Sequence, residues 1–110
     1  MLDDQTFPFR SDEAIDALYR SLLAAAEDHD FEADMNNGAL TVEFEDPPAK
    51  FVVSPNSPVR QIWVSAHSKS FKFDWNETRT AFVLPDTGDD LKAMMSKAIS
   101  QQLGEEVSLG

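Results

Sequence analysis

The sequence predicts an α+β fold, a two-layer α–β sandwich with N- and C-terminal helices packed on one face of an antiparallel sheet. Two observations carry the helices: residues 12–26 and 88–103 both place apolar side chains at helical spacing. The sheet follows from the stretch between them, where short alternating runs are separated by Asn, Gly and Pro at hairpin spacing. A third observation concerns Pro58-Val59-Arg60-Gln61-Ile62-Trp63-Val64-Ser65-Ala66. Strand alternation puts Ile62, Val64 and Ala66 on one face and Gln61, Trp63 and Ser65 on the other. The first face needs a core. The second carries one large aromatic between polar groups, either a partner anchor or a residue that another element covers. Two helices suffice for one sheet face and nothing remains for the other, which predicts an exposed Trp63 face.

In the first helix, Ile15, Leu18, Tyr19, Leu22, Leu23 and Ala26 form the apolar stripe, and Ser11 is the expected N-cap. Phe7-Pro8-Phe9 reads as a lead-in. Glu27, Asp28 and Asp30 crowd the negative end of the helix dipole, where a cation would be favoured, and a local rule broken in this way points to function. Phe31, Ala33 and Met35 alternate with Glu32 and Asp34, giving a half-buried strand with acids outward. Asn36-Asn37-Gly38 is a hairpin turn, and residues 40–45 return with Thr41, Glu43 and Glu45 outward. Asp46-Pro47-Pro48 should break the chain before a third strand at 50–54. The loop 55–58 feeds the central strand, His67 falls in a solvated turn, and Phe71, Phe73 and Trp75 share one face of the next strand. Residues 80–84 complete the sheet. Thr87 is the expected N-cap of the last helix, whose stripe is Leu91, Met94, Met95, Ala98, Ile99 and Leu103. Gly104 ends it, and Val107 and Leu109 are apolar enough to fold back.

The chain of 110 residues is long enough for one domain, expected over 1–110. It has no apolar run of membrane-spanning length and no cysteine, hence no disulfide or thiolate metal site. The acidic start does not fit a basic targeting peptide, and a cytoplasmic protein is expected. Charge is strongly segregated. Residues 1–46 hold thirteen acids against two bases and carry the whole net charge of −11, while the remainder is balanced at seven and seven. Such a field repels nucleic acid and attracts cations or basic protein surfaces.

No nucleophile, phosphate loop or zinc motif is present, so no catalytic residue is assigned. Asp30, Glu32 and Asp34 begin like a calcium loop, but Met35 stands at the next position, and the required glycine and final glutamate are missing. The methionines fall at core spacing rather than in a soft-metal pattern. What remains is an acidic ladder, Glu27, Asp28, Asp30, Glu32 and Asp34, with His29 nearby. Its oxygen donors suit hard cations, bound weakly and with little selectivity; a solvated acidic face without a specific ligand is the alternative.

The same stretch Pro58-Val59-Arg60-Gln61-Ile62-Trp63-Val64-Ser65 resembles the P-x-x-Q-I/V-W-L-S/A signature of the frataxin family, in its bacterial CyaY-type branch. Asn37-Gly38-Ala39-Leu40-Thr41, Phe73-Asp74-Trp75 and Gly104-Glu105-Glu106-Val107-Ser108-Leu109 follow at fitting distances, so the resemblance runs from about Ile15 to Leu109. It implies a frataxin-like sandwich. It also implies an iron-binding protein that regulates, or supplies iron to, iron–sulfur cluster assembly by binding cysteine desulfurase and the scaffold protein. Ferrous or ferric iron, or another divalent cation, would bind weakly at Glu27, Asp28, His29, Asp30, Glu32 and Asp34. Partners would contact Gln61 and Trp63, flanked by Arg60 and Lys72, with Asn56 in the adjoining loop. A monomer with iron-dependent oligomers is implied, with neither nucleic acid nor membrane as partner. A ferroxidase and a metal-independent acidic interaction protein are the alternative functions. Two departures stand out: Leu23, Ala24, Ala25 and Ala26 shorten the acidic ridge, and Ser54 replaces the usual asparagine.

Overall fold

A computed structural model describes residues 2–45 and 48–109. In chain order these form helix α1 (Phe7–Ala26), strands β1 (Glu32–Asn36), β2 (Ala39–Glu45) and β3 (Pro48–Asn56), and a single 3₁₀ turn (Ser57–Val59). Strands β4 (Gln61–Ala66), β5 (Lys69–Asn76) and β6 (Ala81–Val83) follow, and helix α2 (Leu91–Leu103) closes the order. The strands make one antiparallel sheet in sequence order. Each turn between strands is short, so each strand pairs with the next, as the punctuation predicts.

One sheet face is the core. Ile62, Val64 and Ala66 are 0, 1 and 2% exposed. Register carries this face across the sheet. Val64 lies between Val53 and Phe71, Val53 pairs with Leu40, and Phe51 pairs with Val42. Helix α1 contributes Ile15, Leu18 and Leu22, and α2 contributes Met95, Ala98 and Ile99, all buried. Each of these leucine, isoleucine and methionine side chains stabilises the fold by roughly 1.5–3 kcal/mol relative to exposure. The tail returns as expected. Val107 and Leu109 are 3 and 8% exposed, and serine hydroxyls on α2 fasten them: Val107 N–H donates to Ser100 Oγ at 2.8 Å and Leu109 N–H to Ser96 Oγ at 3.0 Å.

Several local expectations are corrected. Helix α1 starts five residues before 12, so Ser11 is inside it, buried, and its hydroxyl donates back to the Pro8 carbonyl at 3.2 Å. Pro8 is tolerated because the first helical N–H groups have no intrahelical acceptor. Asp3 organises the entry instead: its Oδ1 accepts from the N–H groups of Gln5 and Thr6 at 3.1 and 2.7 Å. Those bonds, Thr6 first, hold the Asp3 carboxyl below the usual aspartate range. Leu23, placed on the apolar stripe by the sequence, is 44% exposed because it lies about 100° around the helix from Leu22.

The third strand is longer than expected and includes Pro48, paired with Glu45; the remainder of the expected break, Asp46 and Pro47, lies outside the described residues. Pro48 is the first residue of its strand, where proline is tolerated. His67 is not simply solvated. Its Nε2 lies 3.0 Å from the Ala98 carbonyl on α2, and its ring packs edge-on against Phe51 at 5.0 Å. Finally, Asp90 rather than Thr87 caps α2, with Asp90 Oδ1 accepting from Ala93 N–H at 2.8 Å. Thr87 Oγ1 accepts from Asp89 N–H within the preceding loop.

The cap assignment is testable by chemical denaturation. Asp90→Ala should lose about 1 kcal/mol of stability, whereas Thr87→Ala should stay within about 0.5 kcal/mol of wild type. A reversed order would restore the cap that the sequence suggested.

Candidate functional site

The acidic residues gather at one edge of the sheet. Glu27 is the C-cap of α1, and Asp28 follows in the turn, its N–H donating to the Ala25 carbonyl at 3.1 Å. Asp30, Glu32 and Asp34 are exposed on the approach to β1 and along it. The two-residue turn Asn37-Gly38, with both φ angles positive at 54° and 82°, sets the hairpin register. Asn36 therefore faces Ala39, and Glu32 faces Glu43 directly. Like charges at opposed positions repel, so this pair costs stability unless a cation or a basic group lies against it. Glu43 in turn faces Lys50 on β3.

A groove of about 650 Å³ wraps this edge. Asp30, Glu32, Asp34, Glu43, Glu45 and His29 line it with polar atoms, and Leu23, Ala26, Phe31 and Phe44 supply apolar walls. His29 is not held free for a ligand: its Nδ1 lies 2.5 Å from Glu105 Oε2 in the C-terminal tail. Among the described residues, no three His, Asp or Glu side chains converge as a group able to hold a metal ion. The donors are chemically suited to hard cations, but their arrangement is an open ladder, not a closed coordination sphere.

The second feature is a platform on the outer sheet face. Cross-strand register aligns Ser54, Trp63 and Lys72 in one row, and Asn56 with Gln61 in the next. Trp63 is half-buried rather than fully presented. Its Nε1–H donates to Gln61 Oε1 at 2.9 Å, and Gln61 Nε2 donates to Asp74 Oδ1 at 2.8 Å. The Lys72 ammonium lies 5.0 Å from the Trp63 ring centroid, a cation–π contact. The indole is thus held with its polar edge satisfied and one face against Lys72 before any partner arrives. Arg60 has positive φ, 55°, ahead of β4, and its guanidinium donates to Asp4 Oδ1 at 2.7 Å, toward the N-terminus.

The structure therefore brings His29, Asp30, Glu32 and Asp34 onto one groove, places Glu27 and Asp28 on the adjoining turn, and collects Asn56, Gln61, Trp63 and Lys72 on one face. Arg60 is drawn aside. Sequence reasoning left Glu43 and Glu45 out of the acidic set, although the Asn-Gly turn already places residue 43 opposite 32. It also missed Asp74 behind Gln61, and Glu105, whose contact with His29 spans 76 positions and leaves no local signal.

A family profile described as a frataxin-like domain matches residues 1–105. Curated relatives named iron-sulfur cluster assembly protein CyaY are similar over most of their length. The one from Azotobacter vinelandii is 33% identical over 100 residues, 89% of this chain and 90% of the relative. The one from Pseudomonas aeruginosa is 34% identical over 100 residues, 89% and 92% respectively. Among solved structures, the frataxin from Psychromonas ingrahamii matches with a TM-score of 0.76 and 25% identity over 99% of both chains.

The facing glutamates give a stability prediction. Glu32→Gln, which removes the repulsion and leaves Glu43 opposite Lys50, should raise stability by a few tenths of a kcal/mol. It should also shrink the rise in melting temperature that millimolar magnesium gives over chelator, measured by scanning calorimetry. No change in either quantity would mean that the two carboxylates already splay apart.

Proposed function

We propose that this chain, which belongs to the frataxin-like family, serves iron–sulfur cluster assembly as a non-catalytic, iron-binding regulator or donor that docks on a cysteine desulfurase and its scaffold protein. Relatives named for that process support the setting. The observation that carries the mechanism is the acidic edge, where Glu32 opposes Glu43 and Asp30 and Asp34 flank them on an exposed groove.

Iron is cargo in this reading. Carboxylates spread along a strand would take ferrous or ferric iron at the surface, with water completing its coordination, and would release it readily. The same charges would steer a basic desulfurase surface toward the edge, raising the association rate at low salt. Trp63 would contact the scaffold. A tryptophan already fixed by Gln61 and Lys72 loses little side-chain freedom on binding, the condition under which an aromatic becomes a hot spot.

Calorimetric titration of cysteine desulfurase tests the docking part. A variant carrying Asp28→Asn, Asp30→Asn, Glu32→Gln and Asp34→Asn should bind at least about tenfold more weakly than wild type. Ferrous iron should alter wild-type binding and leave the variant unaffected. Equal binding by the variant removes the acidic edge from the interface, while loss of binding that ignores iron favours a metal-independent interaction protein. Repeated turnover of iron oxidation by the isolated chain would replace the regulator with a ferroxidase.

The scaffold contact is tested separately. Trp63→Ala should weaken assembly of the ternary complex by about thirtyfold, the effect of losing a hot spot, with desulfurase binding retained. An unchanged ternary complex would withdraw Trp63 from that role.

A further inference from the structure

We propose that the outer edge of β1 is a strand-addition site, which accepts an extended basic segment of a partner protein as a seventh strand. This deepens the docking part of the function proposed above and rests on it, but what carries it is the backbone, not the acids alone.

The sheet has two ends, and they differ. At β6, the segment after the strand folds back over the edge: Leu84 N–H donates to the Asp89 carbonyl at 2.9 Å, and Val83 bridges to Asp90. Among the described residues, strand β1 ends the sheet on the other side and pairs with β2 alone. Antiparallel strands alternate between residues that bond across the ladder and residues whose N–H and C=O point away. A two-residue turn with positive φ makes its flanking pair, Asn36 and Ala39, a bonded pair. Alternation then turns the backbone of Asp34 and Glu32 toward β2 and that of Met35 and Ala33 outward. Thr41 Oγ1 on β2 donating to the Asp34 carbonyl at 3.4 Å agrees with that assignment. Ala33 and Met35 thus offer two donors and two acceptors along an edge that no described strand occupies.

The surroundings select the occupant. An added strand would send alternate side chains to the two sides of the sheet. On the outer side they would meet the row begun by Glu32 and Asp34, where lysine or arginine would be favoured and would relieve the Glu32–Glu43 repulsion. On the helix side they would meet the apolar wall of the groove, formed by Leu23, Ala26 and Phe31. The fitting segment therefore alternates basic and apolar residues. β1 has five residues, so the segment spans about 17 Å. A second copy of this chain does not fit. The antiparallel pairings that overlap most of β1 with itself, Ala33 against Ala33 or Ala33 against Met35, set Asp34 opposite Glu32 or Asp34 of the second copy, and charge on an edge strand is a known barrier to self-pairing. Strand addition to an exposed edge is an established mode of peptide recognition, with affinity from the backbone and specificity from alternate side chains.

The test uses the full chain and two blocked eight-residue peptides of one composition. One alternates lysine and valine; the other has four lysines followed by four valines. Binding is followed by amide NMR and hydrogen exchange. The alternating peptide should bind about tenfold more tightly than the block peptide, the worth of one or two net hydrogen bonds. It should slow exchange at the amides of Ala33 and Met35. Ala33→Pro, which removes an outward donor and leaves every charge in place, should abolish that preference. Should this variant fail to fold, exchange protection in the wild-type chain still decides. Equal affinity for the two peptides, or no protection at Ala33 and Met35, overturns strand addition. Charge-dependent desulfurase binding would then stand on its own, so the two readings fail separately.

Discussion

Ile62, Val64 and Ala66 press into the core from the middle of the sheet, and everything outside the core takes its position from them. Side chains on a strand alternate strictly, so a slip of one residue would bury Gln61, Trp63 and Ser65 and expose the three apolar residues. The core makes that slip prohibitively expensive. Register then passes from strand to strand, from Val64 to Val53, from Val53 to Leu40, and from Leu40 to Met35. By the time it reaches β1, the outward position of Glu32 and Asp34 is settled by hydrophobic burial three strands away. The acidic edge is thus a consequence of the core rather than an independent feature.

Most of this was legible in the sequence because it depends on periodicity and turn chemistry. The alternation in β1, β2 and β4, the Asn37-Gly38 turn and the returning tail all follow from local pattern. What escaped was decided by contacts between distant segments or by competition between equivalent local choices. Ser11 has the chemistry of an N-cap, but Asp3, eight residues earlier, supplies an acceptor and Phe7 finds a buried place against Phe82, so the helix extends. Thr87 and Asp90 both cap well, and the pairing of Val83 with Asp90 leaves the aspartate at the helix entrance. His67 looked solvated because nothing nearby in sequence binds it; its acceptor is on α2. In the site, the acids were visible as composition, whereas the hydrogen bonds Trp63–Gln61–Asp74 require the cross-strand geometry.

The acidic edge works against stability in two ways. Glu27 and Asp28 follow the C-terminus of α1, where the helix dipole disfavours negative charge, and Glu32 faces Glu43 across the hairpin. Each effect is a few tenths of a kcal/mol to about one, small beside the burial of a dozen large apolar side chains. The fold can therefore carry the cost, and the cost is what a cation or basic partner removes on binding. A ligand that binds the folded edge stabilises it by an amount set by its affinity and concentration, and relief of this repulsion is one part of that affinity.

Charge also varies in direction across the outer face. Glu32 and Glu43 occupy β1 and β2, Lys50 follows on β3, and Lys72 lies on β5 beside Trp63. Between β1 and β4 there are three strand spacings, about 14 Å, and the cross-strand row that joins Asp34 to β4 through Thr41, Val52 and Ser65 is uncharged after Asp34. That distance exceeds the Debye length of about 8 Å at physiological ionic strength, so the acidic edge and the Trp63 platform act as electrically separate patches close to contact. At longer range and lower salt they form one surface dipole lying in the plane of the sheet. A partner with a basic patch would meet the β1 edge first, and the Lys72 side would repel that patch. The field thus fixes which way round the sheet is approached. Trp63, rigid and nearly neutral in its surroundings, then has a defined place in whatever assembly forms beside the edge.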